Sequence, residues 1–413
     1  MTYLKKACIT AASLFLFSLF FSCSGSQIIS TIEHEELFTL PYGSFEDEID
    51  LFSLSSPGQI STFIQMKDGF FFISNGETNK LIQMNSYGDL LGIFYNPEMN
   101  PVPSFIKKLN PEGTSTDSVN HSSTQQALAY SFNKLGKIAV DYNKTVYAID
   151  ILPFERQEQD VDNKLLLNHA VLRFSSDGTF IDYLGQQGPG GTPFPFIKNI
   201  FTTKNNELVV VCLSNSGYIV YWFTAEGYLK YTIPIAAANL PVPSAQETFF
   251  SSLDEIIPDY TSQKLYLKID YHRNFVDPDS NVLAGVEFYG SRLYPLDIDT
   301  GLYEEPLIIP PFEDVVSEGY AKLTFPVPFN FLGTTESGWF FFIIPDQSGF
   351  MVQMVQPNGQ KILKRHFNID QNSILYHSFT LSQNGIISAL LAEKDKARVV
   401  WWRTDQLIES LLN

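Results

Sequence analysis

Glu207-LVVVCL-SNSG-Tyr218-IVYWF-TAEG-Tyr228-LKYTI is the stretch that decides how this chain reads. Apolar runs of strand length follow one another, and Ser, Asn and Gly sit in the short turns between them. Such runs between turn residues are sequential antiparallel hairpins. The same phrase occurs earlier as Gly69-FFFI-SNGETN-Lys80-LIQM-NSYG-Asp89-LLGIF and later as Gly338-WFFFII-PDQSG-Phe350-MVQMV-QPNG-Gln360-KIL.

Weaker copies complete the series. One runs from Thr145-VYAIDIL to Ala170-VLRF-SSDG-Thr179-FIDYLG, another from Lys264-LYLKIDY to Gly285-VEFYGSRLYPLDI, and the last from Gly385-IISALL to Ala397-RVVWW. Second strands opening near Phe70, Val146, Leu208, Leu265, Trp339 and Ile386 are separated by 76, 62, 57, 74 and 47 residues. Pro-x-Pro connectors at Pro101, Pro193, Pro241 and Pro326 fall between copies, where an extended link without a backbone donor is tolerated.

Six four-stranded units of this kind are what a β-propeller requires. The expected fold is therefore all-β: a six-bladed β-propeller over residues 35–413. Its last unit runs out of strands at Trp402, so Glu36-LFTL-Pro41 is expected to supply the outer strand. Joining the two ends in this way closes the ring and hides a sheet edge. Val171-LRFSSDGTFIDYLGQQGPGG, with its Asp-Gly turn, Leu-Gly and Gly-rich tail, resembles a blade of the NHL-repeat propellers. That resemblance implies architecture, since propellers host binding, scaffolding and catalysis alike.

The first residues read differently. Met1 to Lys6 form a short basic segment, Ala7 to Phe21 an uncharged apolar one, and Ser22-Cys23 a small-residue junction. This is the pattern of a signal peptide, and it is shorter than the ~20 apolar residues of a membrane-spanning helix. Leu19-Phe20-Phe21-Ser22-Cys23 resembles a bacterial lipobox, with Phe20 departing from the preferred Leu. The resemblance implies cleavage before Cys23 and diacylglyceryl and acyl groups on it. Residues 1–22 would then be the signal peptide and 23–34 a lipidated tether to the membrane of the cell envelope. Ser24 gives no acidic retention signal, which resembles outer-membrane routing.

Composition narrows the function classes. The chain has 45 Asp and Glu against 27 Lys and Arg, a net charge of −18, and nucleic-acid binding is disfavoured because it depends on basic side chains. The aromatic content, with 35 Phe and 20 Tyr, suits strands. Of the three cysteines, Cys8 lies in the leader and Cys23 at its end, so Cys212 is expected as a buried thiol without a disulfide.

No linear motif announces chemistry. Gly185–Thr192 is Gly-rich but lacks the Lys-Ser/Thr of a phosphate loop, and no cofactor site is read from it. Asp277–Asn281 places carboxylates alternately, yet Val282 and Phe288 stand where a calcium loop needs Gly and Glu. The acidic run Glu46–Asp50 reads as solvated, and His34, His121, His169, His272, His366 and His377 are too dispersed for a helical zinc motif. The polar insertions 110–126, 153–168 and 272–284 are the places where partner contact is expected. From this the expected function is a membrane-anchored, non-enzymatic binding or scaffolding module for an envelope protein or small ligand. The alternative is a metal-dependent propeller hydrolase acting on a lactone or sugar.

Overall fold

The computed structural model describes residues 30–52, 60–106, 125–277, 279–318 and 321–412. The chain is a six-bladed β-propeller. Its inner strands are Thr62–Lys67, Leu135–Val140, Ile197–Thr202, Phe250–Pro258, Asn330–Thr334 and Tyr376–Leu381, in blade order 1 to 6. Second strands open at Phe70, Val146, Leu208, Lys264, Phe340 and Ile387, within one residue of the expected positions.

The apolar runs are explained by their two-sided burial. Leu208, Val209, Val210, Val211 and Cys212 are all fully buried, and successive side chains point to opposite faces of a strand. Leu208, Val210 and Cys212 accordingly join the core shared with blade 2, while Val209 and Val211 join that shared with blade 4. Phe341 and Ile343 divide in the same way from Phe340, Phe342 and Ile344. A second strand of a blade has no solvent face, which is why it carries no alternation. Cys212 is buried as expected, and burial pushes its thiol pKa up.

Closure is as the sequence predicts. Glu35–Pro41 pairs antiparallel with Lys396–Trp402 as the outer strand of blade 6. Its Phe38 and Leu40 enter the core between blades 6 and 1 together with Ile64, Phe71, Leu390 and Val399. Ahead of it, Ser30–Ile32 adds a parallel strand to the outer edge of blade 5, so the chain is tied down from Ser30 onward. Trp402, fully buried, stacks on Phe367 of blade 5 with ring centroids 4.3 Å apart.

Four elements depart from the sequence reading. The insertion 272–284 is no loop: strands Lys264–Val276 and Leu283–Asp297 run past the start of the inner strand as one long hairpin. The insertion 153–168 holds a short 3-10 turn and the hairpin of Glu158–Asp160 with Leu165–Leu167. A further hairpin, Phe312–Glu318 with Ala321–Val327, absorbs the last Pro-x-Pro connector, and helix Asp405–Leu412 follows blade 6. Residues 110–124, with His121, lie outside the described residues, as do Cys8 and Cys23.

Candidate functional site

Each inner strand ends in a turn that leads to its second strand. In blades 2 to 6 the turn closes with one backbone hydrogen bond, Asp141 N to Thr145 O, Thr203 N to Glu207 O, Asp259 N to Lys264 O, Thr335 N to Trp339 O and Ser382 N to Ile386 O, whereas in blade 1 Lys67 pairs directly with Phe70. The second residue of each turn is Tyr142, Lys204, Tyr260, Glu336 or Gln383. Equivalent positions in a rotationally repeated fold converge, so these side chains gather at one end of the central channel. Lys204 N donates to Tyr260 O at 2.9 Å and Glu336 N to Gln383 O at 2.8 Å, and Lys204 forms an ion pair with Glu336.

Lys67, the last residue of the first inner strand, reaches into this group. Its ammonium donates to Gln383 Oε1 at 3.1 Å and to Tyr260 Oη at 3.3 Å, and lies 3.5 Å from the centre of the Tyr142 ring. The residue is only 3% exposed. Among the described residues no carboxylate lies within ion-pair distance of it. Burial holds its pKa below the usual lysine value, against the opposing pull of Asp68, Asp141 and Glu336. The Tyr260 phenol is pushed far the other way, first by burial and then by Tyr142. Tyr260 therefore keeps its proton and can donate it in a hydrogen bond.

Above this floor the channel opens into a cavity of about 220 Å³, lined by residues from all six inner strands. Lys67, Tyr260 and Gln383 line it at the floor, Lys137 lines it nearer the strand starts, and Gln65, Asn199, Thr202, Ser378 and Thr380 supply neutral polar groups. Lys137 donates to Lys198 O at 3.0 Å. Lys198 in turn sits 3.4 Å from Glu255 Oε2, while Glu255 Oε1 is buried without a hydrogen-bond partner. Burial raises the Glu255 pKa and lowers that of Lys137. A second cavity, of about 360 Å³, lies between blades 1 and 2. Its polar groups are spent on backbone: Asn96 Nδ2 donates to Phe132 O at 2.9 Å, and Asp150 accepts from Lys134 N at 2.7 Å.

The residues singled out in the sequence lie elsewhere. Asp277 Oδ1 accepts the N–H groups of Asp279 and Ser280 at a hairpin tip, so its charge serves a turn. Gly185 and Gly188 pair as part of a blade-2 hairpin. The run Glu46–Asp50 surrounds the fully buried Lys80, which donates to Phe45 O at 2.7 Å and whose pKa burial lowers to about 8. The charges of that run oppose the lowering without forming an ion pair with Lys80 among the described residues, while Glu48 accepts from Phe45 N and Glu46 from Ser104 N, so the run is more than the solvated stretch expected. His169 is buried against Asn168 and His366 bonds Asp346 and Ser348. Among the described residues no three His, Cys, Asp or Glu come together as a metal cage. The donor set therefore does not fit the metal weighed for the hydrolase alternative.

No family model and no curated protein matches the chain. Solved structures similar to it include a gluconolactonase from Xanthomonas campestris, at 10% identity over 92% of this chain and 99% of that one, with a TM-score of 0.38. A calcium-binding regucalcin from Agrobacterium tumefaciens is 9% identical over 91% and 96%, also at 0.38, and a glucose dehydrogenase is 11% identical over 89% and 98%, at 0.40. Likenesses of this size assign no activity. Enzymes are nonetheless among these propellers, and the expectation of a non-enzymatic scaffold is corrected accordingly. That expectation rested on the lack of a linear motif. In this fold the lack means little, because Lys67, Tyr142, Tyr260 and Gln383 come from four different blades.

Proposed function

We propose that the chain is a hydrolase that opens a small cyclic ester, a lactone of a sugar acid, inside the central channel. The observation that carries this reading is Lys67: a buried amine without a carboxylate partner, beside a phenol that keeps its proton, at the floor of a cavity of about 220 Å³. In the fraction of molecules whose Lys67 is neutral, a fraction that burial enlarges, the amine takes the proton of a water as the water oxygen bonds to the ester carbonyl carbon. Tyr260 donates a hydrogen bond to the oxygen that becomes negative, the kind of fixed donor that stabilises such charge. The ring C–O bond then breaks, and the leaving alkoxide takes the proton back from Lys67, giving the open hydroxy acid.

A lactone suits these groups better than a glycoside. Glycoside hydrolysis ordinarily uses two carboxyl groups across the bond, and among the described residues no Asp or Glu lines the cavity. In a pH-stat assay with glucono-1,5-lactone, the purified mature chain is expected to give a saturable rate above spontaneous opening, unchanged by EDTA. A rate equal to the buffer background would overturn the reading, and loss of activity with EDTA would replace Lys67 by a metal.

The N-terminal residues support a proposal of their own. Cys23 is the lipid-carrying first residue of the mature protein, and the propeller, NHL-like in the Val171–Gly191 stretch, is held at a membrane of the cell envelope. A lipobox-like junction and an apolar segment, Ala7 to Phe21, too short to span a bilayer support this. Mass spectrometry of the mature N-terminus is expected to find Cys23 with a diacylglyceryl thioether. An unmodified Cys23, or a terminus at another residue, would sink it.

A further inference from the structure

The chain as a whole is strongly acidic, yet among the described residues its channel cavity is lined by two lysines and no acidic residue. Burying an ammonium without an anion is costly, so a lining of this kind is one that a bound anion would complete. Lys67 is accounted for by the hydrolytic step. Lys137 is not.

Lys137 donates one hydrogen bond, to Lys198 O, and its ammonium lies 5.7 Å from the centre of the Phe63 ring. The acid nearest to it by charge, Glu255, is bound instead by Lys198, 3.4 Å away, and Lys198 also donates to Asp254 O. Among the described residues no carboxylate lies within ion-pair distance of Lys137: Glu255 is taken by Lys198, and the neighbouring Asp254 and Asp270 by Lys268. Lys137 stands three residues before the end of its inner strand, whereas Lys67 ends its own. At a rise of about 3.3 Å per residue, the two lysines sit roughly 10 Å apart along the channel. Along this stretch stand Gln65, Asn199, Thr202, Ser378 and Thr380; Thr202 donates to Val140 O and Thr380 to Gln65 Oε1, while Ser378 accepts from Ile64 N, so what they can still offer a hydroxyl-bearing ligand is chiefly the Gln65 and Asn199 amide N–H groups and the Ser378 hydroxyl proton.

We propose that the substrate is an acidic lactone, a polyhydroxylated ring ester carrying a free carboxylate at the end remote from the ester, and that Lys137 holds that carboxylate. The ester end lies at Lys67 and Tyr260. The naming of a lactone rests on the hydrolase reading, whereas the anion site rests on the cavity lining alone.

Two measurements on the full mature chain separate these claims. By calorimetry, glucarate, a six-carbon dicarboxylate, is expected to bind at least tenfold tighter than sorbitol, its uncharged counterpart. Lys137→Met is expected to lose at least tenfold in glucarate affinity, and Lys137→Arg to retain most of it. In kinetics, glucaro-1,4-lactone is expected to exceed glucono-1,5-lactone in kcat/KM, with the preference lost in Lys137→Met. Equal binding of glucarate and sorbitol overturns the anion site even if the variants fail to fold. Hydrolysis of both lactones with no preference, unaltered by Lys137→Met, also overturns it and leaves the hydrolase standing. Tight glucarate binding through Lys137 without hydrolysis of either lactone supports the anion site and removes the hydrolase.

Discussion

Lys67→Met is expected to lower lactone hydrolysis by about 10²- to 10⁴-fold, the range that a positioned general base contributes, without loss of stability. The two halves of this result have one cause. Lys67 is 3% exposed and its pKa is depressed by burial, so the folded protein holds its ammonium less readily than the unfolded chain does. Below the depressed folded value both states are protonated and the penalty is fully present. Stability attributable to this group rises only as pH climbs from that value towards the ordinary lysine range. Methionine has a similar reach and no charge to desolvate, so the urea midpoint of the variant is expected to equal or exceed that of the parent.

Catalysis should carry the matching signature. If neutral Lys67 is the base, kcat/KM climbs with pH and levels off above its depressed pKa, below the usual lysine value. Tyr260→Phe keeps the ring and removes one donor, which costs about 10²- to 10³-fold where such a donor meets a developing negative charge, while the pH profile keeps its shape. A Lys67→Met variant that hydrolyses the lactone as well as the parent would show that the base lies elsewhere.

The second large effect concerns ring closure. The double variant Phe38→Asp/Leu40→Asp is expected to prevent formation of the closed propeller, seen as soluble aggregate on gel filtration and loss of a cooperative urea transition. Leu40 is 1% exposed and Phe38 9%, and both pack where blades 6 and 1 meet. Emptying one such site of a Leu or Phe side chain costs about 2–5 kcal/mol, and placing a carboxylate there costs more. Set against a total stability of about 5–15 kcal/mol for a domain, two such changes are not survivable. The exposed edge of Lys396–Trp402 would then be free to pair with another chain. A cooperative transition at the parental midpoint would show that Glu35–Pro41 is dispensable.

The blades were legible because their signal is local. A strand buried on both faces must be apolar at every position, and Leu208–Leu213 or Trp339–Ile344 cannot be read as anything exposed. The channel chemistry was not legible from single motifs, yet its signal was present. Tyr142, Lys204, Tyr260, Glu336 and Gln383 occupy one position of a repeated turn, and aligning the blades on their second strands would have placed them side by side. Asp277–Asn281 and Glu46–Asp50 drew attention instead because their charges are adjacent in sequence. Adjacency of that kind served a hairpin turn in one case and a buried lysine in the other.

By itself the sequence determined the strand phrase, its sixfold repetition and the use of Glu36–Pro41 to close the ring. Each follows from which residues must leave water, a property carried by a few neighbouring positions. Only the tertiary structure decided that Lys67 lies beside Tyr142, Tyr260 and Gln383, and that a strongly acidic chain surrounds a channel cavity lined, among the described residues, by two lysines and no acid. Residues 316 positions apart come within hydrogen-bond reach there. The reason is physical: hydrophobic burial builds each blade from local pattern, but the centre of the ring is made of one strand from every blade, and its chemistry exists only once the ring has closed.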